Sequence, residues 1–291
     1  MVQIPSCECN TWNMGIEFDQ ADNLSSLNLA KLSRIEILKM TNKAKASHVG
    51  SALSVIDILS VLYSGAANVN PKNLANKNRD VVIMSKGHAC TALYAVLALK
   101  GFFPLEWLER YCQNGAKLSG HVTSSNVPGV ELSTGSLGHG LPYGLGIQLS
   151  RERNKESGRT YVIMSDGECD EGTTWESALI ANHHKVNSLT VIIDRNKIQS
   201  MGNTEETLAL EPFRIKWEAF GWNVIEVDGH NHKAIKKALA ISASLKPTCI
   251  IANTVKGKGI SFMENQVMWH YRPPNTVELE DALNQIYRGN E

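Results

Sequence analysis

The chain lacks any excess of charge: among its 291 residues, 29 basic and 29 acidic side chains cancel to a formal net charge of zero. Nucleic acids and acidic membrane surfaces are gripped through surplus Lys and Arg, so the balance removes the usual electrostatic case for either partner. Cysteine is sparse and unpatterned. Its six copies (Cys7, Cys9, Cys90, Cys112, Cys169 and Cys249) show no framework spacing. The Cys7-x-Cys9 pair has no second pair to complete a soft-metal site. Cys90 and Cys249 lie in apolar surroundings and read as buried thiols. No Lys or Arg precedes Lys31, so the basic region of a secretory signal is missing, and the apolar run 92–99 is too short to span a bilayer. A cytoplasmic location is the expectation. Neither a strand followed by G-x-G-x-x-G with an acidic residue about 20 positions on nor a P-loop Lys-Ser/Thr occurs, which excludes the common dinucleotide and nucleoside-triphosphate folds.

What is present is a hydrophobic share of 43%, enough to bury a substantial core. Residues 1–23 carry Glu8, Glu17, Asp19 and Asp22 with little periodicity and predict an extended arm; residues 24–291 predict one domain. Leu24, Leu27, Leu32, Ile35 and Leu38 sit near helical spacing, giving an amphipathic helix that ends around Lys45. A second helix is expected over 54–63, stopped by Gly65. Five short runs rich in β-branched residues follow, at 81–84, 161–164, 189–193, 223–227 and 249–252. Helical patterns over 89–99, 137–149, 175–184, 212–220 and 233–245 separate them. Strands alternating with crossover helices predict an α/β fold, a doubly wound, mostly parallel sheet flanked by helices. Such sheets bind ligands in the crevice at the carboxyl ends of their strands.

The polar signals fall at those ends. Lys86-Gly87-His88 follows the first run, Asp166-Gly167-Glu168 the second, and Asn196-Lys197-Ile198 the third, 30 positions after the aspartate (166 to 196). By itself Asp-Gly is a turn. Paired with the downstream Asn, it offers a carboxylate, a side-chain amide and a backbone carbonyl, which suffice for a hard cation that takes its other oxygens from a phosphate. Asp166, Asn196 and the Ile198 carbonyl are the candidate ligands.

The ordered motifs Ser47-His48-Val49-Gly50, Ser85-Lys86-Gly87-His88-Ala89, Gly120-His121, Ser133-Thr134-Gly135-Ser136-Leu137-Gly138, Asp166-Gly167 with Asn196, and Val255-Lys256-Gly257-Lys258-Gly259 resemble the transketolases, thiamine-diphosphate enzymes. The similarity runs over about 24–274. The chain is similar to the amino-terminal, diphosphate-binding half, carried separately from the pyrimidine-binding half as in split transketolases. The resemblance implies that Asp166, Asn196 and Ile198 hold Mg²⁺ or another divalent cation such as Ca²⁺ or Mn²⁺. Thiamine diphosphate would lie against His48, His88, Gly135, Leu137, Gly167, Glu168, Asn196 and His270. His48, His121 and His270 would manage protons on the sugar hydroxyls, a task suited to imidazole because its pKa lies near neutrality. Glu171 and Glu176 match acidic positions at the family's subunit interface, although acids at a helix start are also favoured by its dipole. His139, His183, His184, His230 and His232 lack such motif neighbours and read as structural.

The sequence departs from the family pattern at Ser165, where a glycine is usual, at Arg195, where Asn or Asp is common, and at His139, where full-length transketolases carry Gln. The glutamate that activates the coenzyme ring belongs to the pyrimidine-binding domain, so the resemblance implies a partner chain, in an α₂β₂ assembly, and transfer of a two-carbon ketol group between sugar phosphates. A 2-oxoacid dehydrogenase subunit shares the metal motif and the split organisation; a non-catalytic cofactor-binding subunit is the alternative outside enzymes. The sugar stays open among pentose phosphates, a branched sugar phosphate and a sulfosugar.

Overall fold

The five β-branched runs pair into one sheet. In the computed structural model, which describes residues 24–241 and 245–289, the strands are β1 (Val81–Met84), β2 (Thr160–Ser165), β3 (Leu189–Arg195), β4 (Asn223–Asp228) and β5 (Thr248–Asn253). Their order is β1-β2-β3-β5-β4 and every pairing is parallel. The expected arm at 1–23, with Cys7 and Cys9, lies outside the described residues. The first three strands are buried along their whole length, as their unbroken apolar runs demand; β4, at an edge, alternates.

Pleating divides the core into two layers. Val82, Met84, Ile163, Ile192 and Ile250 face α1 (Ser26–Ala44), α2 (Val49–Val61), α3 (Cys90–Leu99), α8 (His232–Ile241) and α9 (Thr276–Arg288). Their sequence neighbours Ile83, Val162, Val191, Ile193 and Ile251 face α4 (Gly140–Arg153), α5 (Gly172–His183) and α7 (Phe213–Ala219). A short α6 (Thr204–Thr207) precedes α7. The chain leaving β3 goes to α7 on the second face, whereas the chain leaving β5, its neighbour in the sheet, goes to α9 on the first. The two exits part and open a crevice at the carboxyl ends, the place that a reversal of strand order provides.

Several helix limits differ from the sequence expectation. The second helix starts at Val49 rather than 54, because His48 adopts a left-handed backbone (φ 73°) and the chain turns there; it runs into a π-helical turn, Leu62–Ala66. The 137–149 helix starts only at Gly140, since Gly138 (φ 78°) keeps the preceding glycine-rich segment in a turn. Helix α9 was not expected; Asn275 caps it by accepting from Glu278 N. Among the described residues the longest apolar helical stretch is Val49–Ala66, not 92–99, and by length and composition it could cross a membrane. It is 83% buried inside the fold, however, and Val49–Val61 is buried throughout.

Candidate active site

Backbone hydrogen bonds tie several of the motif segments to one another. His48 N donates to His270 O (2.9 Å), Gly257 N to Gly50 O (3.0 Å), Val122 N to Gly87 O (3.1 Å) and Thr134 N to Val122 O (3.0 Å). Glycine is required at 87, where a Cβ would run into the Thr134 carbonyl and come within 2.8 Å of Gly135 N. Residues scattered over more than 220 positions (48 to 270) thereby line one cleft of about 220 Å³ at the strand ends.

Four imidazoles meet there. The His48 ring centroid lies 5.4 Å from His88, 5.6 Å from His121 and 4.8 Å from His270; His88 and His270 are 5.6 Å apart. The His121 ring packs beside Gly135, within 3.3 Å of where a Cβ would stand. Burial lowers the His48 pKa to about 4, helped by His121 and Lys256. Burial, then the Lys256 charge, lowers His270 to about 3. His88 is also pushed well down by burial and by Lys86. At neutral pH these rings are uncharged and able to accept a proton.

The oxygen donors stand opposite. Asp166 Oδ1 accepts from Gly167 N (2.9 Å), and Oδ2 accepts from Lys197 N (2.7 Å) and Arg195 Nη1 (3.3 Å). Asn196 directs its amide nitrogen at Ser54 Oγ and Asp194 (3.4 and 3.3 Å), while its Oδ1 accepts from Ile198 N (3.1 Å). The Ile198 carbonyl accepts from the Lys256 ammonium (2.9 Å), which also meets His270 Nδ1 (3.1 Å). Burial lowers Lys256 to about 8, with the Lys86 charge adding to it. Burial and the nearby Asp194 raise the Asp166 pKa.

This set fits a hard divalent cation: one carboxylate, one amide oxygen and one carbonyl line the same cleft, and an ammonium already rests on the carbonyl. Among the described residues no group of three His, Cys, Asp or Glu could hold a metal alone. The cation would draw its remaining oxygens from a phosphate-bearing ligand. Glycine at 167 leaves the floor open, where a Cβ would meet only the flexible Gln199 side chain at 3.1 Å.

His48, His88, His121, His270, Gly135, Leu137, Asp166, Gly167, Asn196 and Ile198 thus converge as the sequence implied. Glu168 does not reach the cleft with its carboxylate. It points inward and accepts from Ser85 Oγ (2.5 Å), Gly138 N (3.1 Å) and Ser165 N (2.9 Å). Burial raises its pKa. That carboxylate ties the ends of β1 and β2 to the glycine turn. Glu171 and Glu176 are exposed on α5, beside exposed Leu179 and Ile180. His139 is exposed, its Nδ1 3.0 Å from Leu137 O. His230 and His232 both grip Asp57 (2.7 and 3.0 Å), which Arg34 also holds (2.6 Å).

Sequence reasoning missed the pair under the site. Lys86 and Asp194, both with fully buried side chains, form an ion pair that Ser54 and Thr254 complete. Burial works against the Asp194 charge, but Lys86 overrides it and holds the carboxyl below its usual range. Lys86 stands inside a recognisable motif and Asp194 two residues before Asn196; nothing in their spacing joins them.

Oxygen donors facing a histidine cluster at the carboxyl ends of a parallel α/β sheet are the layout of a coenzyme-binding domain. Residues 26–286 match the family described as transketolase, thiamine diphosphate binding domain, and the chain belongs to that family. It is 40% identical over 259 residues to an apulose-4-phosphate transketolase subunit of Actinobacillus succinogenes, covering 88% of this chain and 94% of that one. It is 40% identical over 243 residues to the 6-deoxy-6-sulfo-D-fructose transketolase subunit SqwG of a Clostridium species, covering 83% and 88%. The crystal structure of Campylobacter jejuni transketolase superposes with a TM-score of 0.83 at 31% identity, covering 92% of this chain and 43% of that one. The chain therefore spans about two-fifths of a full-length transketolase, and most of the separate subunits.

Proposed function

We propose that this chain is the diphosphate-binding subunit of a two-chain transketolase. It transfers a two-carbon ketol unit from a ketose or ketose phosphate to an aldose, working with a separate pyrimidine-binding chain. The observation that carries the proposal is the single cleft in which the Asp166, Asn196 and Ile198 oxygens face four imidazoles. Thiamine diphosphate, when bound, supplies the carbon centre that takes up and releases the ketol unit. Asp166, Asn196 and the Ile198 carbonyl hold Mg²⁺, or Ca²⁺ or Mn²⁺ in its place. His88, Gly135, Leu137 and Gly167 line the cofactor's bed. His48, His121 and His270 accept and return protons at the sugar hydroxyls, a role supported by the lowered pKa values of His48 and His270, which keep those rings neutral.

The two-chain organisation is supported by relatives that are separate subunits, matched over most of their length. Exposed Leu179 and Ile180 beside Glu171 and Glu176 on α5 suit a protein interface in an α₂β₂ assembly. Four cysteines standing as free thiols among the described residues fit the cytoplasm. The test is reconstitution with the partner chain. Transfer from a ketose is expected only when both chains are present, and the screen starts with apulose 4-phosphate and 6-deoxy-6-sulfo-D-fructose, the sugars in the relatives' names, before pentose phosphates. Normal turnover by this chain alone would refute the two-chain reading; activity with pyruvate and none with any ketose would favour the oxoacid enzyme.

A further inference from the structure

Arg195 ends β3 and directly precedes Asn196. Its side chain is 2% exposed, yet its guanidinium serves four acceptors. Nη1 donates to Asp166 Oδ2 (3.3 Å) and Thr204 Oγ1 (2.8 Å); Nη2 donates to Glu205 Oε1 (2.9 Å) and Glu211 Oε1 (3.0 Å). The group also lies 5.3 Å from the centre of the Phe213 ring. The two glutamates are themselves held, Glu205 by the N–H groups of Leu210 and Glu211, and Glu211 by Phe213 N. A continuous series of bonds therefore runs from the chain entering α7, through Arg195, to the carboxylate on the floor of the cleft.

The arrangement does more than neutralise a buried acid. A buried ion pair is a weak source of stability, and here two of the acceptors reach the surface, with side chains 35% and 58% exposed. What the fork does achieve is orientation. Asp166 Oδ2 is occupied by Arg195 and Lys197 N, whereas Oδ1 carries only its bond to Gly167 N. One oxygen is thus committed to the protein and the other keeps a lone pair. A lysine, with one compact ammonium, could not span these four acceptors.

We infer that Arg195 is a positioning residue for the divalent cation: it locks the Asp166 carboxylate in one orientation through the Thr204–Glu205–Glu211 anchor and so sets how tightly the cation is held. The inference rests on the assignment of Asp166 as a cation ligand.

The test titrates Mn²⁺ by electron paramagnetic resonance into the two-chain assembly with thiamine diphosphate. Arg195→Met is expected to weaken Mn²⁺ about 10–100-fold, as the loss of a partner behind a metal ligand does. Turnover at saturating Mn²⁺ should stay near the parent value, so the effect appears in the cation concentration needed and not in kcat. Arg195→Lys should recover only part of the affinity. Glu211→Gln, which trims an exposed anchor and leaves the core intact, should weaken Mn²⁺ less than Arg195→Met and covers the case in which that variant does not fold. A merely structural Arg195 would lower the melting temperature and leave the Mn²⁺ affinity of every folded variant unchanged, which overturns the inference. Asp166→Ala separates the two readings. If it binds Mn²⁺ like the parent, the cation assignment itself fails; if it does not, while Arg195→Met and Glu211→Gln bind normally, only the role of Arg195 fails.

Discussion

The two walls of the cleft are built by different means. Asp166, Asn196 and Ile198 follow immediately from β2 and β3, central strands buried on both faces, and the sheet fixes where they stand. The histidines come from a left-handed turn, two 3₁₀ turns and a loop, and those segments hold one another through bonds such as His48 N to His270 O. Charge differs too. The oxygen wall keeps a carboxylate in a buried setting that resists its ionisation, a setting a cation would relieve. In the imidazole wall burial keeps His48, His88 and His270 neutral, and the Lys256 charge opposes their protonation. The strand-borne wall is suited to anchoring and the loop-borne wall to proton chemistry.

Mutation should separate the walls. The largest effect is expected at Asp166→Ala: calorimetry of the reconstituted assembly should show Mg²⁺-dependent thiamine diphosphate binding abolished. Equal dissociation constants for the variant and the parent would end the metal assignment. His121→Ala should do the reverse, lowering kcat/KM for the ketose donor by about 10²–10⁴, the usual range for a lost acid–base group, with coenzyme affinity nearly unchanged. A His121 variant that lost coenzyme and donor together would erase the division between the walls.

The sheet was more legible than the site. Most strands could be read because doubly covered parallel strands leave continuous apolar runs, and the β-branched content of stretches such as 189–193 marks them as strand rather than helix; the edge strand β4 showed itself by its β-branched Val224, Ile225 and Val227 instead. The Asp166 and Asn196 pair was legible for the same reason, since each abuts such a run. The imidazole wall could be assembled only through the family resemblance: no periodicity predicts that 48 and 270 touch. Glu168, a cofactor contact by the resemblance, has its carboxylate turned inward by burial and three donors, an orientation that nothing in the sequence foretells. Helix α9 carried legible signs that were passed over: Asn275 and Glu278, an amide and an acid three apart at a helix start, and Leu279, Ala282, Leu283 and Ile286 at helical spacing behind them.

Lys86 and Asp194 lie beneath both walls and test whether these are independent in stability. Lys86→Met leaves a buried carboxylate without its counter-charge and is expected to cost about 3–5 kcal/mol in chemical unfolding, the range for removing one partner of a buried pair. Adding Asp194→Asn in the same chain removes the stranded charge and should recover much of that loss. A single variant as stable as the parent would show that Ser54 and Thr254 suffice to hold Asp194.

The smallest effect is a pH dependence of opposite sign in the two walls. For His48 and His270 burial, with the neighbouring charges, puts the folded pKa at about 4 and about 3, below the unfolded 6.5. The unfolded chain then binds more protons as pH falls from 6.5 toward 4, and folding stability drops across that window. Asp166 and Glu168 are shifted upward by burial from 3.8 and 4.5, so the folded state keeps their protons longer, and their contribution is lost as pH rises through the folded pKa. Urea midpoints of the coenzyme-free chain should resolve the two. His48→Asn should flatten the loss of stability between pH 6.5 and 4, while Asp166→Asn should remove the part of the stability loss that ionising the buried Asp166 carboxyl brings as pH rises. Parallel pH profiles for the parent and His48→Asn would mean that the imidazole wall is hydrated enough to titrate as it does in the unfolded chain, and the electrostatic contrast between the walls would disappear.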